Sequence, residues 1–372
     1  MNHHPQRILM AVTNDLVTDQ RVHRSCLTLQ QAGYDVVIIG RRFRHSTPLQ
    51  RTYRTIRMRL VFNRKAVFYA EYNLRLFLRL LFLRGSLIYA NDTDTLLGCY
   101  LAARIKRLPL FMDAHELYCE VPELVGRSRV KRFWQRIEDW VVPRLAGAVT
   151  VCQSIADIYQ QRHGIAFGVV RNVPLSAAQP LLPQRQAGQP RMLLYQGAVN
   201  KGRGVDWMIE AMQYLPQCEF HIAGTGDEYA AMQALAASKP WHSRIVFHGR
   251  LDPRQLHQLT PQAHLGISLL ADLGLNYYYS LPNRIADFVQ AGVPVLATDF
   301  PEIRQVVASL GVGTLVSGHD PQLIAQRVNE ALLYFDSLSA DDYQSRFSAA
   351  AQSLSYTHDQ AVLLAAVGKA LQ

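Results

Sequence analysis

The chain has 372 residues, 49% of them hydrophobic and 18% charged, and it carries a net charge of +10 at pH 7. This composition is that of a globular protein, and the length suits two α/β domains better than one. The five cysteines are scattered and form no C-x-x-C pair, which argues against a structural zinc site and favours a reducing, cytoplasmic compartment. The sequence has no run of 18 apolar residues, so we expect no membrane-spanning helix. Its N-terminus does not resemble a leader, so we expect no signal peptide.

In the first half of the chain, short apolar runs alternate with longer amphipathic segments. The runs predict buried parallel strands at residues 8–12, 35–39, 87–90, 110–113, 148–151 and 168–170. Helical periodicity is clearest at residues 18–32 and 130–145. Strands and helices that alternate in this way predict βαβ units wound around a parallel sheet.

Polar side chains follow three of these strands, at the end where a doubly wound domain exposes its chemistry. Asn14 and Asp15 follow the first strand, and Asp19 is placed to cap the next helix. The candidates after the later strands are Asn91, Asp92, His115 and Glu116. A histidine flanked by two carboxylates at a strand end favours a functional role, in which a neutral imidazole donates a hydrogen bond to a substrate.

Charge is distributed unevenly along the chain. Residues 1–175 contain 26 Lys and Arg against 13 Asp and Glu, whereas the remainder contains 13 against 16. Nine basic residues and no acidic one lie in residues 41–65, directly before a leucine-rich and aromatic helical segment, residues 66–83. This pairing predicts contact with an anionic membrane surface, the alternative being a solvated loop beside a buried helix. Nucleic acid is suggested by charge alone, and we expect no such partner.

A second set of strands follows a proline-rich linker. The predicted strands are residues 192–195, 219–223, 245–247, 265–269, 293–297 and 313–316, with helices at 282–291 and 321–334 and a helical tail from 339. The sequence therefore predicts an α/β fold of two Rossmann-like doubly wound domains that face a central cleft. Its parts are a first domain (1–173), a linker (174–190), a second domain (191–357) and a C-terminal helix (358–372) that could pack back on the first domain.

The most specific motif lies in the second domain. Residues 277–302 read YYYSLPNRIADFVQAGVPVLATDFPE, and residues 195–204 read YQGAVNKGRG. The first stretch resembles the C-terminal signature of the family-four (group 1) retaining glycosyltransferases of the GT-B fold, of the bacterial polysaccharide-assembly type. The second resembles the glycine-rich loop of the same family.

The resemblance implies a donor site in the second domain. Pro282 is placed as the first residue of a helix, so that the N–H groups of the next three residues form an anion site. The residues implied for the donor diphosphate are Gly197, Lys201, Arg203, Asn283 and Arg284. Arg203, directly before a helix, is favoured over Lys201 as the inner cation.

Further residues are carried over position by position. Those implied for the nucleoside are Gly224, Arg250, Leu251 and Asp287, and those for the sugar are Tyr279, Ser280, Leu281 and Glu302. Asp287 and Tyr279 stand where the family has two glutamates, so the charge of the first glutamate is missing. The family has a histidine by the donor sugar, which His115 matches; His115, Glu116 and Asp15 are therefore the catalytic candidates. The acceptor candidates are Asn14, Asn91 and Asp92.

The implied reaction is transfer of a hexose from a UDP- or GDP-sugar to a hydroxyl acceptor with retention of configuration. The acceptor is expected to be a lipid-linked or growing cell-surface glycan, met at the inner face of the cell membrane. We expect no metal site and no cofactor, the nucleotide sugar being a co-substrate. The alternative is a nucleotide-sugar epimerase of the same architecture. A nicotinamide oxidoreductase is disfavoured because no glycine follows the first strand.

Overall fold

The computed structural model describes residues 5–17, 19–44, 46–175 and 189–372. The chain forms two units. The first comprises the chain up to Asn172 together with Gly274–Asn276 and Thr357–Gln372, and the second comprises Val173–Leu273 and Tyr277–Tyr356. Most of the predicted linker, at 176–188, lies outside the described residues.

The first unit is built on a parallel sheet in which seven strands are found among the described residues. The strands are β1 (Arg7–Asp15), β2 (Asp35–Arg41), β3 (Arg54–Met58), β4 (Leu87–Asn91), β5 (Leu110–Ala114), β6 (Gly147–Thr150) and β7 (Gly168–Val169). Their order is β3-β2-β1-β4-β5-β6-β7. Strand order reverses between β1 and β4, and the carboxyl ends of the strands at such a reversal form the usual binding crevice of an open α/β sheet.

Helices cover both faces of this sheet. They are α1 (Gln20–Gln31), α2 (Lys65–Phe82), α3 (Thr93–Lys106), α4 (Ser128–Val141) and α5 (Gln153–His163). The side chain of Asp19 accepts the N–H of Val22 and caps α1, which confirms that prediction. Every strand predicted for this unit is present. The sequence analysis did not predict β3, whose residues lie inside the basic segment.

The second unit repeats the plan with a smaller sheet. In the described part of the chain its strands are β8 (Arg191–Gln196), β9 (Cys218–Ala223), β10 (Ile245–Gly249), β11 (Leu265–Ser268), β12 (Val295–Thr298) and β13 (Gly313–Val316), in the order β10-β9-β8-β11-β12-β13. The helices are α6 (Val205–Ala211), α7 (Tyr229–Ala237), α8 (Pro253–Leu259), α9 (Leu275–Tyr278), α10 (Asn283–Gln290), α11 (Pro301–Val307), α12 (Pro321–Ser337) and α13 (Ala340–Ser353). Two buried apolar clusters form its core.

The last helix, α14 (Tyr356–Ala370), belongs almost entirely to the first unit. Arg171 holds it there: its guanidinium donates to both carboxylate oxygens of Asp359, at 2.8 and 3.0 Å, and its backbone N–H donates to Oδ2 at 2.7 Å. Asp359 is buried, so this bidentate contact is shielded from water. None of the helices within the described ranges is long and apolar enough to cross a membrane.

Candidate functional site

Glycine-rich loops meet at the carboxyl ends of β8 and β9. The N–H of Gly197 donates to the carbonyl of Ala223 at 2.9 Å, and the N–H of Gly224 donates to the carbonyl of Gly249 at 2.8 Å. A Cβ atom on Gly224 would lie 1.8 Å from the carbonyl oxygen of Gly197, so only glycine fits there. The predicted residues Gly197 and Gly224 are thus adjacent, and Gly249 connects them to the predicted Arg250.

Two arginines lie beside these loops. Cζ of Arg284 is 4.3 Å from the ring centroid of Tyr195, and Cζ of Arg203 is 4.6 Å from that of Tyr277. A Cβ on Gly197, whose φ is +127°, would lie 3.3 Å from Nη2 of Arg284, so this glycine makes room for the guanidinium. Aromatic ring faces attract cations, which fixes both guanidinium groups in place.

No carboxylate among the described residues neutralises the charges of these two arginines. Within the described residues, neither Arg203 nor Arg284 has a carboxylate within 4.0 Å, and Nε of Arg203 and Nη1 of Arg284 are buried without a hydrogen-bond partner. Burial lowers the pKa of Arg284, and the charge of Arg203 lowers it further. Arginine nevertheless stays protonated, so two like charges sit side by side. Two like charges of this kind are unfavourable in a buried site unless an anionic ligand compensates them.

Helix α10 begins one residue later than predicted. Pro282 is the N-cap residue with extended backbone, and Asn283 is the first helical residue. The N–H of Ile285 donates to the carbonyl of Pro282 at 3.0 Å, so it is not available to an anion. The prediction of three free N–H groups was therefore wrong for Ile285, because the first turn closes on the proline carbonyl. The N–H groups of Asn283 and Arg284 retain that role.

The other residues predicted for the second unit differ in burial. Lys201 and Arg250 are exposed, whereas Leu251 packs against an apolar cluster. Gln196, which the sequence analysis did not single out, accepts from Thr260 at 2.9 Å and donates to Asp287 at 3.4 Å. Asp287 is thereby positioned close to the end of β8.

The residues predicted to contact the sugar lie before α10 and at the start of α11. Ser280 donates from Oγ to the carbonyl of Tyr277 at 3.1 Å, and Tyr279 packs edge-on against Tyr278. Leu281 is half-buried against an apolar cluster. Glu302 is buried in the first turn of α11, where a negative charge is favoured.

In the first unit, His115 stands at the centre of a polar cluster at the carboxyl ends of β4 and β5. Its Nδ1 lies 3.2 Å from Oδ2 of Asp92, and its Nε2 lies 3.2 Å from Oδ1 of Asn91 and 3.5 Å from Oδ2 of Asp113. Burial acts to lower the pKa of His115, but the charges of Asp92 and Asp113 outweigh it and raise the pKa to about 9. The imidazole is therefore protonated at neutral pH, and the prediction of a neutral donor was wrong.

Asp113 is anchored by a residue that the sequence analysis missed. Arg21 donates to its Oδ1 from Nη2 at 2.6 Å and from Nε at 3.2 Å, and Tyr89 donates to its Oδ2 at 3.1 Å. Burial would raise the pKa of Asp113, yet Arg21 and His115 hold it well below its usual value. Arg21 lies two residues after the capping Asp19, and its pattern in the sequence is that of an ordinary helix surface.

Asp92 is held in a strained conformation. Its φ is 60° and its ψ is 165°, in a region that costs a non-glycine residue about 1–3 kcal/mol. Its Oδ1 accepts the backbone N–H of His115 at 2.7 Å, which ties the end of β4 to the loop after β5. Burial raises the pKa of Asp92, the charge of His115 opposes this, and that of Glu116 adds to it.

Two more carboxylates border the cluster. Asp94 is buried and accepts from Oγ1 of Thr13 at 2.7 Å; burial, together with the charge of Glu116, raises its pKa to about 7. Glu116 accepts from Nδ2 of Asn276 at 3.4 Å, while Oδ1 of Asn276 accepts the N–H of Leu117 at 2.9 Å. Several acceptor oxygens thus lie around His115, an arrangement suited to a ligand that carries hydrogen-bond donors.

Asp15 and Asn14 are engaged elsewhere. Asp15 accepts from Nη2 of Arg57 at 3.0 Å and from the hydroxyl of Ser46. Burial raises the pKa of Asp15, but these contacts bring it below its usual value, so this carboxylate is not poised to take a proton. Asn14 donates from Nδ2 to Asp19 at 2.8 Å. The structure does not bring Asp15 into the hydrogen-bonded cluster around His115.

Two family models match the chain, one in each half. The model described as "Glycosyltransferase Family 4" matches residues 19–175, and the model described as "Glycosyl transferases group 1" matches residues 190–333. Together they account for most of the sequence. No curated protein matches the chain.

Solved structures resemble the chain over nearly its whole length. Sucrose-phosphate synthase from Thermosynechococcus elongatus has a TM-score of 0.75 at 15% identity, with 96% of each chain covered. HepE from Anabaena in complex with UDP-glucose has a TM-score of 0.75 at 14% identity, covering 98% of this chain and 99% of that one. The lipopolysaccharide outer core galactosyltransferase WaaB has a TM-score of 0.71 at 13% identity, covering 96% and 99%. These similarities confirm the predicted fold of two Rossmann-like domains.

Proposed function

Because the chain belongs to the group 1, family 4 glycosyltransferases of the GT-B fold, we propose that it transfers a hexose from a UDP- or GDP-sugar to a hydroxyl group of a glycan, with retention of configuration. The observation that carries the proposal is the pair Arg203 and Arg284, two fixed and unneutralised guanidiniums beside a glycine-rich turn. A nucleoside diphosphate supplies the missing negative charge. The family matches do not favour the epimerase alternative.

The proposed donor site follows from the residues of the second unit. The diphosphate accepts hydrogen bonds from Arg203, Arg284 and the N–H groups at the start of α10, with exposed Lys201 as an outer cation. Asp287, held near the end of β8, accepts from ribose hydroxyls. When the bond between sugar and diphosphate breaks, negative charge grows on the leaving oxygen. Guanidiniums that are already in place stabilise that charge without rearrangement.

In the first unit, we propose that His115 acts through its positive charge and by orienting the acceptors around it, because both of its ring nitrogens already face protein oxygens. Asp92 and Asp113 keep it protonated and fix its ring. Glu116 is proposed to accept hydrogen bonds from substrate hydroxyls. Asn91, predicted as an acceptor contact, is fully buried and holds the ring of His115 instead. A positive charge with acceptor oxygens beside it suits a polyhydroxylated ligand, because each hydroxyl group both donates and accepts.

A thermal-shift screen with UDP, GDP, ADP and CMP tests the donor assignment. Ligand binding raises the melting temperature by mass action, and the rise grows with concentration. UDP is the first candidate, since the structurally similar HepE is described in complex with UDP-glucose. We expect a shift with UDP or GDP that disappears in Arg284→Ala. An equal shift in wild type and Arg284→Ala would place the nucleotide elsewhere, and no shift with any of the four would remove the proposal.

For the acceptor, we propose a lipid-linked glycan at an anionic membrane surface. Residues Val67, Leu74, Leu78 and Phe82 form an exposed apolar stripe on α2, with Phe82 87% exposed. Exposed basic residues of the preceding segment are Arg42, Arg44, Arg54, Arg59, Arg64 and Lys65. An exposed apolar helix surface that directly follows a basic segment is typical of a peripheral membrane protein.

Not every basic residue of the segment 41–65 contributes to that surface. Arg41 is buried, with Cζ 4.1 Å from the ring of Phe43 and 4.4 Å from that of Phe68, and Arg57 pairs with Asp15.

The variant that tests membrane contact is therefore Arg54→Ser with Arg59→Ser. Its charge-matched control is Arg254→Ser with Arg327→Ser, in the second unit. Co-sedimentation with anionic vesicles should fall in the first double variant alone; equal binding would point to a soluble acceptor.

A further inference from the structure

A pocket of about 340 Å³ opens on the first unit at the end of the sheet opposite to His115. It is lined at the start of β5 by Leu110, beside the ends of α3 and α4. The side chains around it that matter here are Tyr100, Arg104, Arg107, Leu108, Arg144 and Leu145. Strand β5 separates this pocket from the polar cluster by about 13 Å, the length of a five-residue strand. It is therefore distinct from the proposed reaction site.

Three arginines rim this pocket, and none has a carboxylate partner among the residues that the structure describes. In the part of the chain that the structure describes, no Asp or Glu lies within 4.0 Å of the guanidinium of Arg104, Arg107 or Arg144. Arg144 donates one N–H to the carbonyl of Trp140, and Arg104 lies 3.4 Å from the hydroxyl of Tyr100. Each guanidinium has five N–H donors, so most remain available to an outside ligand. The rim is chemically suited to an anion.

Exposed apolar side chains lie next to the arginines. Trp140 is 43% exposed and packs edge-on against Tyr100, at 4.8 Å between ring centroids, and Ile105 is 64% exposed. Lys106 donates to the carbonyls of Leu80 and Leu83, which places the end of α2 against the end of α3. The apolar stripe of α2 therefore ends close to Ile105. A rim of cations beside tryptophan and aliphatic residues suits a ligand with a charged head and apolar chains.

We propose that this pocket binds the phosphate headgroup of an anionic phospholipid and docks the first unit on a membrane. This proposal adds a specific lipid-binding site to the membrane contact proposed above, and it depends on that contact. The phosphate oxygens accept from Arg104, Arg107 and Arg144, while the lipid's glycerol and first methylene groups lie on the apolar lining. Trp140 and Ile105 enter the interface beside it. The lipid is an anchor and not the acceptor, because the pocket lies at the end of the sheet away from the reacting residues.

The test compares two triple variants of the full-length protein that lose the same charge. The pocket variant is Arg104→Gln, Arg107→Gln and Arg144→Gln; the control is Arg127→Gln, Arg129→Gln and Arg132→Gln, whose side chains are exposed near or on α4. Partitioning to vesicles of phosphatidylcholine with phosphatidylglycerol is measured at one ionic strength. Each engaged arginine contributes about fivefold, so the pocket variant should lose about 100-fold and the control far less. Equal losses would reduce the effect to general charge and overturn the pocket.

A second measurement does not depend on removing three arginines. Phosphatidylglycerol with brominated acyl chains should quench the fluorescence of wild type more than that of Trp140→Phe, because Trp140 lies in the interface. Equal quenching would overturn the docking geometry. Inorganic phosphate and glycerol phosphate are the soluble ligands in this test. If they raise the melting temperature of wild type but not of the pocket variant, while both proteins bind vesicles equally, the ligand is a free phosphate and not a lipid.

Failure here can be told apart from failure of the proposed function. The nucleotide thermal shift reports only on the second unit, and Arg54→Ser with Arg59→Ser reports on the segment before α2. If the nucleotide shift and the effect of that double variant persist while the pocket triple variant behaves as its control, only the pocket is lost.

Discussion

The two strand-end clusters of this chain handle charge in opposite ways. In the first unit, Arg21 and His115 are matched by Asp113 and Asp92, and every one of these charges has a partner within the protein. In the second unit, Arg203 and Arg284 are fixed against aromatic rings and have no carboxylate among the described residues. The first cluster is complete as it stands, whereas the second needs an anionic ligand.

The contrast separates residues that stabilise the structure of a site from residues whose charge is compensated only when a ligand binds. A buried charge is costly unless it is paired, so a paired charge contributes to stability and its removal leaves the partner uncompensated. Two neighbouring like charges without a counter-charge lower the stability of the free protein. An anionic ligand compensates them when it binds. Removing a charge should therefore damage folding in the first unit and ligand binding in the second.

The largest effect is expected from Arg21→Met. It leaves the buried Asp113 without its arginine, with only the longer contact to His115 and the hydroxyl of Tyr89, and breaking a buried ion pair costs about 3–5 kcal/mol. Urea denaturation should show the loss, with nucleotide binding retained below the transition. The control is Arg7→Met, which breaks the partly exposed pair with Asp35 and should cost only about 1 kcal/mol or less. Similar losses in both variants would mean that the Arg21–Asp113 pair does not hold the cluster.

The next effect concerns ligand binding. Arg203→Ala and Arg284→Ala should each weaken binding of the nucleotide sugar by about 1.5–3 kcal/mol, roughly 10- to 150-fold, because each removes a charged hydrogen bond to phosphate. Isothermal titration measures this directly. The exposed Arg254→Ala is the control and should bind normally.

The same variants test the contrast itself. Since Arg203 and Arg284 repel each other in the free protein, Arg284→Ala should unfold in urea no earlier than wild type when no nucleotide is present. A large loss of stability without a change in affinity would show that Arg284 belongs, like Arg21, to the internal structure of its unit.

The fold could be predicted because its signals are local. Buried parallel strands are continuous apolar runs, so the strands at residues 8–12 and 192–195 were visible in the sequence, as was the alternation with helices. β3 was not, because Arg54 and Arg57 interrupt its hydrophobic pattern at the edge of the sheet, where one side of the strand is open to solvent. Edge strands of this kind lack the periodicity on which sequence reasoning depends.

The candidate site could be predicted only in part. The resemblance of two motifs to the family singled out Gly197, Arg203 and Arg284, which the structure places beside one another. The sequence could not show that Tyr195 and Tyr277 lie under the guanidiniums, because those contacts join residues far apart in the chain. It also could not show that Asp92 and Asp113 would lie against His115 and keep it protonated, or that Arg21 would pair with Asp113. Pairing between distant charges depends on the folded geometry, and that pairing determines the charge of His115.

A smaller effect is expected from pH. The folded pKa of His115, about 9, lies above its ordinary value of about 6.5, so its ion pairs stabilise fully below pH 6.5 and are lost as the pH rises through 9. Wild type should therefore lose on the order of 1–3 kcal/mol between pH 7 and 9.5. His115→Gln should lose less over the same range, since glutamine does not titrate. Parallel curves for the two proteins would show that His115 is neutral throughout.

The smallest effect is expected from EDTA, which we predict leaves turnover unchanged. Glycosyl transfer from a nucleotide sugar needs positive charge at the diphosphate, and a divalent cation is one way to supply it. Arg203 and Arg284 supply two positive charges at one place, and the N–H groups of Asn283 and Arg284 add a partial one. Initial rates should be compared after metal-free dialysis, with EDTA, and with EDTA followed by excess Mg²⁺ or Mn²⁺. A rate that falls with EDTA and recovers with the metal would mean that the two arginines do not stabilise the leaving group's charge alone. The second cluster would then include a bound cation, and its contrast with the first cluster would no longer rest on the arginines.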